Sequence, residues 1–152
     1  MILSAQSIRS RCPAMLAPFA ERGRFAGLSY GLGPAGYDVR IAQALVIEPR
    51  GFALGSTLER FDLPDDIMAE IKDKSTWARR GLSVFNSTAE PGWRGWLTIE
   101  LANHGPETIA IEEGTPIAHI VFKILDEPTR HPYAGKYQDQ RYGPQPAIEE
   151  VA

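Results

Sequence analysis

Alternation of apolar and polar residues marks much of this chain as a succession of short strands. In Trp96-Leu97-Thr98-Ile99-Glu100-Leu101-Ala102 the leucines and Ile99 share one face, and Trp96, Thr98, Glu100 and Ala102 share the other, because successive strand side chains point to opposite sides. The same reading predicts strands at 37–41, 44–47, from Phe52, at about 67–72, and at 82–85, 108–111 and 117–124. Turn signals separate them at Leu63-Pro64-Asp65-Asp66, Pro91-Gly92, Asn103-His104-Gly105-Pro106 and Glu113-Gly114. Strands recurring about every eight to twelve residues imply an all-β sandwich or barrel. Two helical pieces interrupt the pattern. Ser4 is placed to cap a helix ending near Arg11, and Ser75 to cap a turn that Gly81 stops. The stretch 18–34 has four glycines and no period, so it reads as loop. From Asp126 onward the chain is polar and punctuated by prolines, which predicts an extended arm or lid over 126–152 on a single domain covering 1–152.

Composition narrows the function classes. With 152 residues, 43% hydrophobic and 23% charged, the chain is an ordinary globular protein, and its Gly and Pro excess suits many turns. The net charge of −3 disfavours a dedicated nucleic-acid coat while leaving room for a local polyphosphate site. A lone Cys12 excludes an internal disulfide, and the separated His104, His119 and His131 offer no zinc-ligand spacing. A zinc-dependent deaminase or hydrolase is therefore disfavoured. No apolar run approaches membrane-spanning length and no signal peptide is recognised, so a cytoplasmic location is expected.

Three segments could carry chemistry. Glu100 is either a solvated strand residue or a carboxylate set between Trp96 and Thr98 inside a subunit interface, where partial desolvation would suit it to general acid–base work. Lys74-Ser75-Thr76-Trp77-Ala78-Arg79 combines a helix start with a cation and a hydroxyl, either an ordinary capped turn or a phosphate-binding one. Glu90 lies in the turn before the Glu100 strand, and Trp93 beside it reads as packing or as a site wall. In the arm, Tyr133, Lys136, Tyr137, Gln138 and Gln140 supply donors that a ligand or a neighbouring subunit would order.

Taken in chain order, Gly36-Tyr37-Asp38-Val39-Arg40, Lys74 through Leu82, Pro91-Gly92-Trp93-Arg94-Gly95 leading to Glu100, Gly114-Thr115-Pro116-Ile117-Ala118, and the closing Lys136-Tyr137-Gln138-Asp139-Gln140 resemble the dCTP deaminases of the dUTPase-like superfamily. The resemblance implies a mainly β fold, a distorted β-barrel or jelly-roll with a short N-terminal helix and a C-terminal arm. It also implies a homotrimer with sites between subunits, and zinc-free deamination of dCTP to dUTP with Mg2+ carried on the triphosphate. Glu100 falls on the family's general acid/base, and Ser75 and Arg79 on residues that position the water and the amine. Lys74, Ser75, Glu90, Trp93, Tyr133, Lys136 and Gln140 are the nucleotide-binding candidates. Nucleic acid and membrane are not expected partners. Two departures stand out: Glu90 occupies a position where the family usually has Asp, and the 84–89 hairpin is about two residues shorter than the family pattern. They keep open a dUTPase or bifunctional dUMP-forming enzyme, and a non-catalytic nucleotide-binding regulator of the same fold.

Overall fold

The computed structural model describes residues 1–150; the last two residues of the expected arm lie outside the described residues. A helix α1 (Ala5–Arg11) is followed by eleven strands: β1 (Leu16–Ala17), β2 (Gly23–Phe25), β3 (Leu28–Gly33), β4 (Gly36–Arg40), β5 (Leu45–Ile47), β6 (Phe52–Asp62), β7 (Ile67–Asp73), then, after the one-turn helix α2 (Ser75–Ala78), β8 (Leu82–Val84), β9 (Arg94–Asn103), β10 (Ile109–Ile111) and β11 (Pro116–Ile124). They form a five-stranded sheet in the order β2-β3-β4-β11-β7, a four-stranded sheet β1-β6-β9-β8 and a β10-β5 pair. The described strands thus lie in three sheets rather than one closed barrel. Their inner faces share a core in which Val39, Ile99, Leu101, Ile120 and Phe122 are fully buried. Phe61 bridges the layers, its ring centroid 6.4 Å from Phe122 and 6.2 Å from Trp93. Burial of side chains of this size contributes about 1.5–3 kcal/mol each.

Two stretches depart from the alternation. Residues 18–34, read as loop, contain the β2–β3 hairpin, which turns at Ala26 and Gly27, both at positive φ. Its glycines hid it: Gly23 lies under the Tyr30 ring, where a Cβ would meet ring atoms at 2.2 Å. β6 runs eleven residues and carries buried Ser56, Thr57 and Glu59 where an apolar face would be expected. Each polar group is satisfied. The Gln43 side chain bonds Ser56, the Thr57 hydroxyl accepts the Leu97 N–H at 3.0 Å across a register shift, and Glu59 pairs with Arg40 at 2.8 Å. The shift lets β6 pair with β9 along both its ends while Thr57 also bridges to Ile41, beyond β4.

Residues 126–150 contain no helix or strand, yet they are ordered against their own chain. Gln138 accepts the Arg94 N–H at 2.9 Å and donates to the carbonyls of Gly92 and Tyr133, and Gln140 forms a parallel bridge with Gly95. Gly92 and Gly95 make this approach possible. At Gly95, with φ +138°, a Cβ would lie 2.6 Å from the Gln140 nitrogen, and at Gly92, φ +82°, it would lie 2.6 Å from Pro132. The arm is held to its own chain by backbone and amide hydrogen bonds.

Candidate active site

β9 places Ile99 and Leu101 in the core and turns Glu100 outward, as the alternation predicts. β8 pairs with the end of β9 as far as Val84 opposite Leu101, and the Phe85 N–H extends this ladder to the Glu100 carbonyl at 3.2 Å. Beyond it the 85–90 hairpin swings away, and the arm returns on the other side through Gln145, whose N–H donates to the Thr98 hydroxyl at 3.0 Å. Hairpin, strand and arm enclose a cavity of about 590 Å³. Glu100, Glu90, Trp93, Tyr133 and Gln140 all line it, so five of the residues expected to bind or transform a ligand come together within one chain.

Their roles in the fold differ. Glu100 is half-buried, and burial raises its carboxyl above the ordinary Glu value, as it does for any carboxylate removed from water without a compensating cation. Glu90 is exposed at the rim, where the Thr88 hydroxyl donates to it at 3.3 Å. Trp93 is buried against Phe61, and its indole N–H donates to the Tyr137 carbonyl at 2.6 Å, pinning the arm. The Tyr133 hydroxyl accepts the Tyr137 N–H at 3.1 Å, and the Gln140 carbonyl accepts the Trp96 N–H at 3.2 Å. Lys136 is exposed outside the cavity wall, its ammonium 5.3 Å from the Tyr137 ring centroid.

The second group lies elsewhere. Lys74, rather than Ser75, is the N-cap of α2, and neither hydroxyl nor ammonium caps the helix. Lys74 is buried and donates to Asp38 at 2.7 Å, while His119 meets the other Asp38 oxygen at 2.9 Å. Burial would raise the Asp38 carboxyl, but hydrogen bonds with His119 and Lys74 outweigh it and hold the carboxyl below its ordinary value. Ser75 and Arg79 share one face, since the Arg79 N–H donates to the Ser75 carbonyl at 3.1 Å, and both side chains are exposed. Gly81, at φ +87°, ends the turn as expected. None of Lys74, Ser75 and Arg79 lines the cavity, and among the described residues no Lys or Arg does.

Asn86 was missed from the sequence, where a polar residue in a hairpin reads only as a turn former. Its side chain lies in the cavity wall and holds both flanks of Glu100: it accepts the Glu100 N–H at 2.9 Å and donates to the Thr98 carbonyl at 2.6 Å. Cys12 packs against the core, and burial pushes its thiol up to about 11, so it is protonated at neutral pH.

A mainly β body of packed sheets with a short N-terminal helix and an ordered C-terminal arm matches solved structures of the dUTPase-type fold. The chain superposes on the native EIAV dUTPase with a TM-score of 0.59 at 20% identity, covering 80% of this chain and 98% of that one. It matches the structure of 2'-deoxycytidine 5'-triphosphate deaminase from Agrobacterium tumefaciens with a TM-score of 0.65 at 19% identity, covering 82% of this chain and 48% of the other. At the sequence level residues 38–125 match the family described as dCTP deaminase-like. A dCTP deaminase from Pyrococcus horikoshii is 36% identical over 91% of this chain and 92% of its own length. The chain belongs to the dCTP deaminase family.

Proposed function

We propose that this protein hydrolyses the exocyclic amine of dCTP, giving dUTP and ammonia. The observation that carries the reading is Glu100, a desolvated carboxylate on the wall of a cavity of nucleotide size in a chain of this family. Ionised, it takes a proton from water as the oxygen attacks C4 of the cytosine ring. It hands that proton to N3, which has received the C4=N3 electron pair, then takes the proton of the new C4 hydroxyl and gives it to the amine, so that ammonia leaves as the carbonyl forms and the carboxylate is regenerated. One group serves both steps because its raised proton affinity lets it act as base and then as acid. Magnesium enters with the substrate as the counter-ion of the triphosphate. Among the described residues no three His, Cys, Asp or Glu side chains converge as a metal site.

The cavity's charge argues for a second chain. A triphosphate needs cations, and among the described residues the lining offers two glutamates and no Lys or Arg. We therefore propose a homotrimer in which the exposed Ser75 and Arg79 of a neighbouring α2, with its basic Lys74 segment, complete the site beside Glu100. There they would orient the water and the amine. Tyr133, Lys136 and Gln140 would act from the arm, which closes the site of this single-domain chain over the triphosphate and excludes bulk water. A cytoplasmic setting, where nucleoside triphosphates are made and used, suits such a substrate; no helix of the described residues is long and apolar enough to cross a membrane.

The test is incubation with dCTP and Mg2+, following ammonia, dUTP and pyrophosphate in parallel. Ammonia and dUTP are expected without pyrophosphate. Pyrophosphate as the main product would replace this reading with the dUTPase one, and binding without turnover would replace it with a regulator.

A further inference from the structure

Among the described residues the Glu100 carboxylate has no side-chain hydrogen-bond partner, yet a general base must be placed to within a fraction of an ångström. We infer that Asn86 is its positioning residue, acting through the β9 backbone; the role in turnover rests on the deaminase reading above. Regular pairing of β8 with β9 stops at Val84, and the Phe85 N–H makes one more rung with the Glu100 carbonyl. The next rung is made by a side chain. The Asn86 amide oxygen accepts the Glu100 N–H at 2.9 Å and its nitrogen donates to the Thr98 carbonyl at 2.6 Å. Phe85 and Asn86 together therefore clamp both polar groups of the Glu100 peptide.

The amide's orientation follows from its neighbours. A backbone N–H can only donate and a carbonyl can only accept, so the oxygen must face Glu100 and the nitrogen Thr98. That geometry commits one lone pair of the Asn86 oxygen and one N–H of its nitrogen to the strand, although the residue lies in the cavity wall. Thr98 extends the clamp, since its hydroxyl accepts the N–H of Gln145 at 3.0 Å and so joins the arm to the same rung. Asn86 thereby substitutes for strand pairing at the point where the hairpin must leave β9 to make room for a ligand. Glu100 stays rigid beside an open cavity.

Asn86→Ala removes both hydrogen bonds; Asn86→Asp keeps the acceptor for Glu100 and loses the donor to Thr98. For Asn86→Ala a fall in kcat of about a hundred-fold is expected, the scale of an ångström misplacement of a reacting group, with KM for dCTP within about twofold of the parent. Asn86→Asp is expected to fall between the two. A raised KM with kcat intact would make Asn86 a substrate-binding residue and overturn the inference, as would full activity in Asn86→Ala. Residue-resolved amide exchange provides a readout independent of turnover. The Glu100 N–H should be protected in the parent and in Asn86→Asp and should exchange freely in Asn86→Ala, while the Ile99 and Leu101 amides stay protected. Should the parent release no ammonia, the deaminase reading fails while exchange still decides the clamp, and a Glu100 amide that stays protected in Asn86→Ala overturns it. Should Asn86→Ala fail to fold, Asn86→Asp decides by kcat against KM.

Discussion

The β9 wall and the α2 turn hold the two halves of the proposed chemistry, and the chain treats them in opposite ways. At β9 a carboxylate is brought half out of water, clamped through its backbone, and roofed by an arm that hydrogen-bonds to the same strand. At α2 one cation is neutralised by Asp38, while a hydroxyl and a guanidinium stand in solvent outside the cavity. A proton-transfer group gains from desolvation, which raises its proton affinity toward working pH. Groups that orient a reacting water and amine gain from staying unpaired until substrate arrives, because a guanidinium spent on an internal carboxylate has less to offer them. The difference fits the proposal that neither half is sufficient alone and that the site is completed across a subunit boundary.

Removing the carboxylate should have the largest effect. Glu100→Gln is expected to reduce kcat by about 10³-fold or more, within reach of general acid–base contributions, with nucleotide affinity by calorimetry largely kept. The same residue sets a pH test. Since the folded protein raises the Glu100 carboxyl above its ordinary value, the rate should fall on acidification through a limb lying above the usual Glu range. Ionising a group whose folded-state proton affinity is raised opposes folding as pH rises past its unfolded value, so Glu100→Gln should melt at the same temperature as the parent or slightly higher at pH 7. A clear loss of thermal stability would contradict the assignment of Glu100 as a desolvated, uncompensated group.

Next in size, Arg79→Ala should lower kcat/KM by about 10²-fold, the loss of one charged contact that strengthens in the transition state, without altering the melting temperature, because the side chain is exposed. Gly95→Ala should then act through the arm. Its Cβ would meet the Gln140 backbone at 2.6 Å, so residues 126–150 should become sensitive to limited proteolysis and KM for dCTP should rise roughly tenfold, about 1.4 kcal/mol. Trp93→Phe should be mildest. It keeps the packing on Phe61 and deletes the 2.6 Å hydrogen bond to Tyr137, costing about 1 kcal/mol.

How far the sequence discloses such a site depends on where each residue takes its order. Glu100 was visible because period-two alternation places it opposite Ile99 and Leu101, and both of those are buried. The turn stopped by Gly81 was visible from local chemistry. The start of β6 at Phe52 was visible but its eleven-residue length was not, because its buried Ser56, Thr57 and Glu59 break the alternation and are satisfied by Gln43, Leu97 and Arg40, partners remote in sequence. The order of the arm and the clamp by Asn86 were hidden for the same reason: both are long-range hydrogen bonds to backbone atoms, which leave no period and no spacing to read.

The division of the site between chains is open to one direct measurement. Glu100→Gln and Arg79→Ala, each nearly inactive alone, should regain activity when their subunits are mixed and allowed to exchange. Mixed trimers would each contain one interface with both residues intact, so random exchange at equal concentration should return about a quarter of the parent rate. Activity that stays at the level of the separate variants after exchange is verified would place Glu100 and Arg79 in the same half-site, and would contradict the account.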